Sequence, residues 1–175
     1  MPALDALKTG TLVFLSAVLQ ASVFSSVIIL RGTPDLLLVA LVCVSLLRGA
    51  IVGAAAGFFA GLVLDTAYLE TLGATSLLLT VAGYWIGRYG ETTGRDRTHA
   101  PFLAVAVVSV LYAFGALVLR FILGEPASAE IVLVETLFQS VALNLILTLP
   151  VYALARRLLK PLPRGDRVEE VRMLG

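Results

Sequence analysis

The sequence predicts an all-α, polytopic membrane bundle of about six transmembrane helices, folded as one domain over residues 1–175. Three observations predict it. The chain of 175 residues is 59% hydrophobic and only 14% charged, against about half apolar and a quarter charged in soluble domains. The apolar residues come in blocks that so small a domain has no interior to hide, which makes lipid their solvent. The basic residues fall on alternate sides of those blocks, as loops on two faces of a membrane would.

A spanning helix needs about 20 mostly apolar residues. Six segments meet or approach that length: 9–30, 34–47, 50–68, 72–89, 101–123 and 130–158, followed by a basic tail over 159–175. The first could be mistaken for a signal peptide, since Lys8 precedes an apolar run over 11–30. That run exceeds a signal's apolar core, and Arg31 and Pro34 follow it in place of a cleavage site. It reads as a retained helix. The second segment is short for a span, and only Arg48 and Gly49 separate it from the third. A tight antiparallel hairpin and a broken or re-entrant pair both fit that spacing, and the charge pattern needs a turn there, which favours the hairpin.

Orientation follows from lysine and arginine. With both termini cytoplasmic, the inner side holds Lys8, Arg48, Arg88, Arg95, Arg97, Arg156, Arg157, Lys160, Arg164, Arg167 and Arg172, leaving only Arg31 and Arg120 outside. Asp35, Asp65, Glu70, Glu125 and Glu130 make the outer rim acidic. Tyr84, Trp85, Tyr89 and Tyr152 sit at inner helix ends, where amphipathic rings favour the headgroup level. The basic tail reads as a positive-inside anchor on anionic lipid.

The most informative local pattern is in the third segment. Gly49, Gly53, Gly57 and Gly61 recur every four residues, and Asp65 continues the series. Residues four apart share a helix face, so this face is a smooth groove with a carboxylate at its outer end. Small residues let helices approach closely in lipid, where little hydrophobic force draws them together. The occupant of the groove is either another helix of this chain or a partner's. Gly83 and Gly87 form a second small-residue pair in the fourth segment, so the third and fourth helices are expected to form the tight centre of the bundle. Asp65 needs a partner, and Arg120 is the candidate for an outer ion pair. Asp35 directly follows Pro34, a combination suited to a helix start. Gln20, Gln139 and Asn144 are expected to hydrogen-bond between helices.

Catalytic and metal-binding signals are missing. There is no HExxH, Walker A or GxSxG motif, the lone Cys43 lies in an apolar run, and the lone His99 lies in a polar loop. No cofactor, metal, catalytic residue or nucleic-acid partner is expected. A binding, scaffolding or transport role remains.

The order of motifs resembles one family. Pro34-Asp35-Leu36-Leu37-Leu38 is followed by Leu46-Leu47-Arg48-Gly49, Gly53, Gly57-Phe58, Gly61-Leu62 and Asp65, then Leu72-Gly73, Gly83-Tyr84 and Gly87-Arg88. Over nearly the whole chain this is similar to MreD, the bacterial rod shape-determining membrane proteins, with departures at Cys43 and in the short loop 66–71. The resemblance implies a fold similar to the substrate-binding S-components of energy-coupling factor (ECF) vitamin transporters. It implies a non-catalytic role in the elongasome that builds the lateral peptidoglycan wall. It implies association with the bitopic protein MreC and, indirectly, with MreB, RodA and penicillin-binding protein 2. Carried onto this chain, the partner-binding residues would be Pro34, Asp35, Arg48, Gly53, Gly57, Gly61 and Asp65. In that hypothesis the glycine groove receives the partner's transmembrane helix, with Asp35 and Asp65 fixing its outer end. Gly49, Gly83 and Gly87 would serve helix packing, and a glycine face could also make a homodimer. The competing class is an ECF-type S-component. The outer loops before the fourth and sixth helices are each about five or six residues long, which leaves little chain to close over a vitamin.

Overall fold

The computed structural model describes residues 2–23, 33–69, 71–93, 99–124 and 130–159, apart from the side chains of 2–5, 93, 120 and 130–136. Outside these lie the last third of the first predicted helix and the basic tail. So do Arg31, Glu70, Arg95, Arg97 and Glu125, the loop residues invoked above for orientation.

The described chain is all helical: α1 (Pro2–Ser22), α2 (Leu36–Arg48), α3 (Ala50–Tyr68), α4 (Ala74–Thr93), α5 (Ala100–Ile122) and α6 (Glu130–Leu158). Three of them, α3, α5 and α6, contain stretches long and apolar enough to cross a membrane. The apolar part of α1 is shorter, and α4 is as long as α3 but carries Arg88 and Glu91 near its end. The α1 helix begins seven residues before the predicted start. Ala3, Leu4, Ala6 and Leu7 are strong helix formers, and a hydropathy boundary marks where lipid begins rather than where a helix does.

The centre of the bundle is α2, not the α3–α4 pair. Every residue over 37–48 is buried, and α2 packs against all five other helices. Its sequence, apolar on every side, permits this. Thirteen residues rise about 20 Å, short of a hydrocarbon core about 30 Å thick. The helix is viable at this length because protein surrounds it. The glycines misled here because they report how closely two backbones approach, not which helix is enclosed.

The chain reverses at Gly49, the single residue between α2 and α3. Its φ of 91° lies where side-chain-bearing residues are strained. Its N–H donates to Ser45 O, and its own carbonyl accepts from Gly53 N, so it ends one helix while opening the next. Ser45 lies against Gly53, so α2 and α3 form an antiparallel hairpin. The short side of α2 is its other end.

Then α4 returns antiparallel along α3. A side chain at Gly53 would strike the Gly83 carbonyl, one at Gly57 the Leu79 carbonyl, and one at Gly61 the Ser76 backbone. From the other side, Gly83 abuts Gly53, Gly87 abuts Gly49 and Ala50, and Gly90 abuts Leu46. The occupant of the glycine groove is therefore α4. The hypothesis that a partner's helix lies in this groove is corrected on that ground: backbone already fills it along its length.

The substitution Gly57→Leu is expected to force α3 and α4 apart and destabilise the protein by about 3 kcal/mol or more, the upper end of overpacking costs. The check is thermal unfolding in detergent followed by tryptophan fluorescence. An unchanged midpoint would show that α4 is not the occupant.

Candidate functional site

Where α2 begins, four helices meet. Asn144 lies fourteen residues from either end of α6, and Ser109 stands near the middle of α5. The Asn144 side chain meets the start of α2, with Ser109 bonded to it from α5, so α2 opens at about half the height of α6. A helix start leaves several backbone N–H groups without partners, and lipid offers them no water. Three of them are met by side chains here. The Asp35 N–H donates to Asn144 Oδ1 at 2.8 Å. The Leu36 N–H donates to Gln20 Oε1 at 2.8 Å. The Leu38 N–H donates to Asp35 Oδ1 at 2.9 Å, an N-cap bond. Gln20 Nε2 in turn donates to the Pro34 carbonyl at 3.3 Å, and Asn144 Nδ2 to Ser109 Oγ at 3.1 Å.

The sequence motif Pro34-Asp35-Leu36-Leu37-Leu38 is thus a helix start fastened from three directions. Proline supplies no N–H to satisfy, aspartate caps, and the leucines enter the core. Gln20 and Asn144 bond between helices as expected. Gln139 differs: its Oε1 is buried with no hydrogen-bond partner among the described residues.

A second pair of caps ties α3 to α4. The buried Asp65, only 1% exposed, accepts from the N–H groups of Gly73 (2.8 Å), Thr75 (3.1 Å) and Ser76 (3.4 Å) at the start of α4. At the opposite end Glu91 of α4 accepts from the Ala50 N–H that starts α3, at 2.8 Å. Each helix supplies the carboxylate that closes the other's N-terminus, where the helix dipole also favours negative charge. Ser76 Oγ adds a bond to the Phe58 carbonyl. Asp65 is thereby committed to backbone donors, while the Arg120 side chain, its expected ion partner, lies outside the described residues.

The predicted site residues separate into distinct places. Pro34 and Asp35 sit at the central junction, and Asp65 sits beneath α4. Arg48 is buried at the far end of α2, where a cation suits the helix C-terminus. Gly53, Gly57 and Gly61 face α4. The residues that sequence reasoning missed are Ser109 and Glu91. Ser109 is one hydroxyl in a long apolar run. Glu91 looks like part of a solvated polar stretch, with an exposed contact to Arg88 three residues before it. Nothing local in the sequence marks either residue as an interhelical bond.

Removing the Asp65 carboxylate takes the acceptor from three N–H groups, those of buried Thr75 and Ser76 and half-buried Gly73, at about 1–3 kcal/mol for each buried group left unmet. Asp65→Ala is expected to lower the unfolding midpoint in detergent far more than Asp65→Asn, whose amide oxygen still accepts. Equal losses from the two variants would show that the cap does not matter.

The model of one protein family, the rod shape-determining protein MreD, matches residues 5–158. No curated protein and no solved structure matches the chain. The family match takes in all but the first three residues of α1 and the whole of α2 to α6, including the capped helix start and the glycine-paired hairpin. By that coverage the chain belongs to the MreD family of rod shape-determining membrane proteins.

Proposed function

We propose that this protein is a non-catalytic membrane scaffold of the elongasome, which binds an MreC-like bitopic protein and supports lateral peptidoglycan synthesis. Its indirect partners in this reading are MreB, RodA and penicillin-binding protein 2. The observation that carries it, beside the family match, is the use to which the buried polar groups are put. Asp35, Asp65, Glu91, Gln20 and Asn144 hold helix ends in place. Polar side chains are costly inside a membrane, and here they stiffen a framework.

In this reading the protein sits in the bacterial inner membrane with both termini cytoplasmic, because eleven of its thirteen basic residues then lie inside. The packing of Gly87 against Gly49 and Ala50 supports it by bringing Arg48 and Arg88 to one end of the bundle. The partner's helix takes a face other than the glycine groove, and the glycines contribute by fixing α3 against α4. Pro34, Asp35 and Arg48 act in the same way through α2.

The test is affinity purification of the tagged protein in mild detergent, with mass spectrometry of its companions. An MreC-like bitopic protein is expected, and depletion of this protein is expected to turn rod cells round. Recovery of an ECF-type transmembrane subunit with its ATPases instead would overturn the scaffold reading.

A further inference from the structure

The central column of the bundle is only partly filled by α2. On the other side of Asp35 lies a cavity of about 590 Å³, within the range of small-molecule pockets. Its walls come from α3, α4, α5 and α6, and its floor is the start of α2. Thr33, Leu69, Thr71 and Leu123 of the connecting segments border the cavity too. It exists because the central helix begins at half height while α5 and α6 continue past it.

The lining is divided. Polar groups gather at the floor: Asp35, Ser109 and Asn144, with Thr75 and Ser140 beside them. Beyond Tyr112 the wall of α5 is aliphatic, from Ala113 and Ala116 to Leu117, while Tyr68 and Thr71 add polar groups from the α3–α4 side. Asp35 is the only carboxylate among the described lining residues, and no lysine, arginine or histidine stands among them. A half-buried acid there, with no basic residue among the described lining residues, gains from a cation brought to it. A lipid tail would meet the polar floor with its least polar end. A small molecule with an ammonium group on an apolar body matches both regions.

We propose that this cavity is a binding site for a small amphipathic organic amine, its ammonium at Asp35 and its apolar body along α5. That the cavity opens to the outer side rests on the orientation given above.

The experiment uses the full-length protein in membrane vesicles of both orientations. Cys43, buried in α2, is first replaced by alanine. A reporter cysteine is then placed on the cavity wall, Ala116→Cys, and a control on the outward face of α5, Leu111→Cys, where the native side chain is exposed to lipid. Each is treated with a trimethylammonium methanethiosulfonate or with its anionic sulfonate counterpart. The wall cysteine is expected to react about tenfold faster with the cationic reagent, after correction for the rates of a free thiol. Octylammonium is expected to slow that reaction about tenfold, while octanol, with the same chain and no charge, does not. The charge preference and the protection should both vanish in Asp35→Asn, which keeps an N-cap of similar quality. Leu111→Cys should react with neither reagent. A wall cysteine that is unreactive from both sides would overturn the proposal. So would a charge preference that survives Asp35→Asn, or a failure of octylammonium to protect. Reaction confined to the cytoplasmic side, with the Asp35 dependence intact, would support the site and refute the orientation.

Discussion

A backbone N–H inside a membrane has no water to turn to, and the architecture of this bundle follows from where that problem is worst. It is worst at the start of α2, which opens in the middle of the bundle rather than at the lipid headgroups. The solution draws on three helices. Gln20 comes from α1, Asn144 from α6, and Asp35 from the turn itself, with Ser109 of α5 holding the Asn144 amide. Once these bonds are made, the positions of α1, α5 and α6 around α2 are no longer independent. An apolar core alone would let the helices slide, since dispersion contacts differ little from one register to the next. Hydrogen bonds to particular N–H groups fix the register.

The α3–α4 pair solves the same problem differently. Its helices approach so closely that carbonyl oxygens occupy the space of missing side chains. That closeness brings each helix end within reach of a carboxylate from the other, Asp65 at one end and Glu91 at the opposite end. Glycine and carboxylate thus depend on each other. Without the glycines the carboxylates could not reach. Without the carboxylates the approach would leave buried N–H groups unpaired, a cost comparable to what the packing contributes. The next member of the glycine series being Asp65 reflects this arrangement, since the face that packs is also the face that caps.

Much of this was legible in the sequence, and the boundary between legible and hidden is a physical one. Hydropathy revealed the helices, with ends misplaced mainly where polar residues continue a helix beyond the lipid, as at the start of α1 and in the last turn of α4. The four-residue glycine period revealed a close approach but not its occupant. The groove expected to take a partner's helix holds α4. The central place of α2 was hidden because a helix apolar on all sides reads alike whether lipid or protein surrounds it. Only its shortness hinted at protein. Asp35 was read as a helix-start signal, yet nothing local could show that its helix starts at depth. Gln20 and Asn144 stood out as polar residues in apolar runs. Their target, one short backbone segment between them in space, depends on a contact 109 residues apart in sequence for Asn144. Ser109 and Glu91 gave no signal, since a single serine in a helix and a glutamate near a helix end are both ordinary.

The same half-height start that creates the capping problem also creates the cavity, so the two cannot be separated. Asp35 and Asn144 fasten α2 and also form the cavity floor. A molecule that bonds to either acts on the atoms that join α2 to α6 and, through Ser109, to α5. The α3–α4 pair contributes to the cavity wall, and Thr75, one of the residues Asp65 caps, borders the floor, but Asp65 itself is covered by the backbone it serves. The bundle therefore has one rigid junction closed by backbone packing and another closed by side chains bordering open space. Of the two, the second is the more directly open to what occupies the cavity, because Asp35 and Asn144 line it while the Asp65 and Glu91 carboxylates do not.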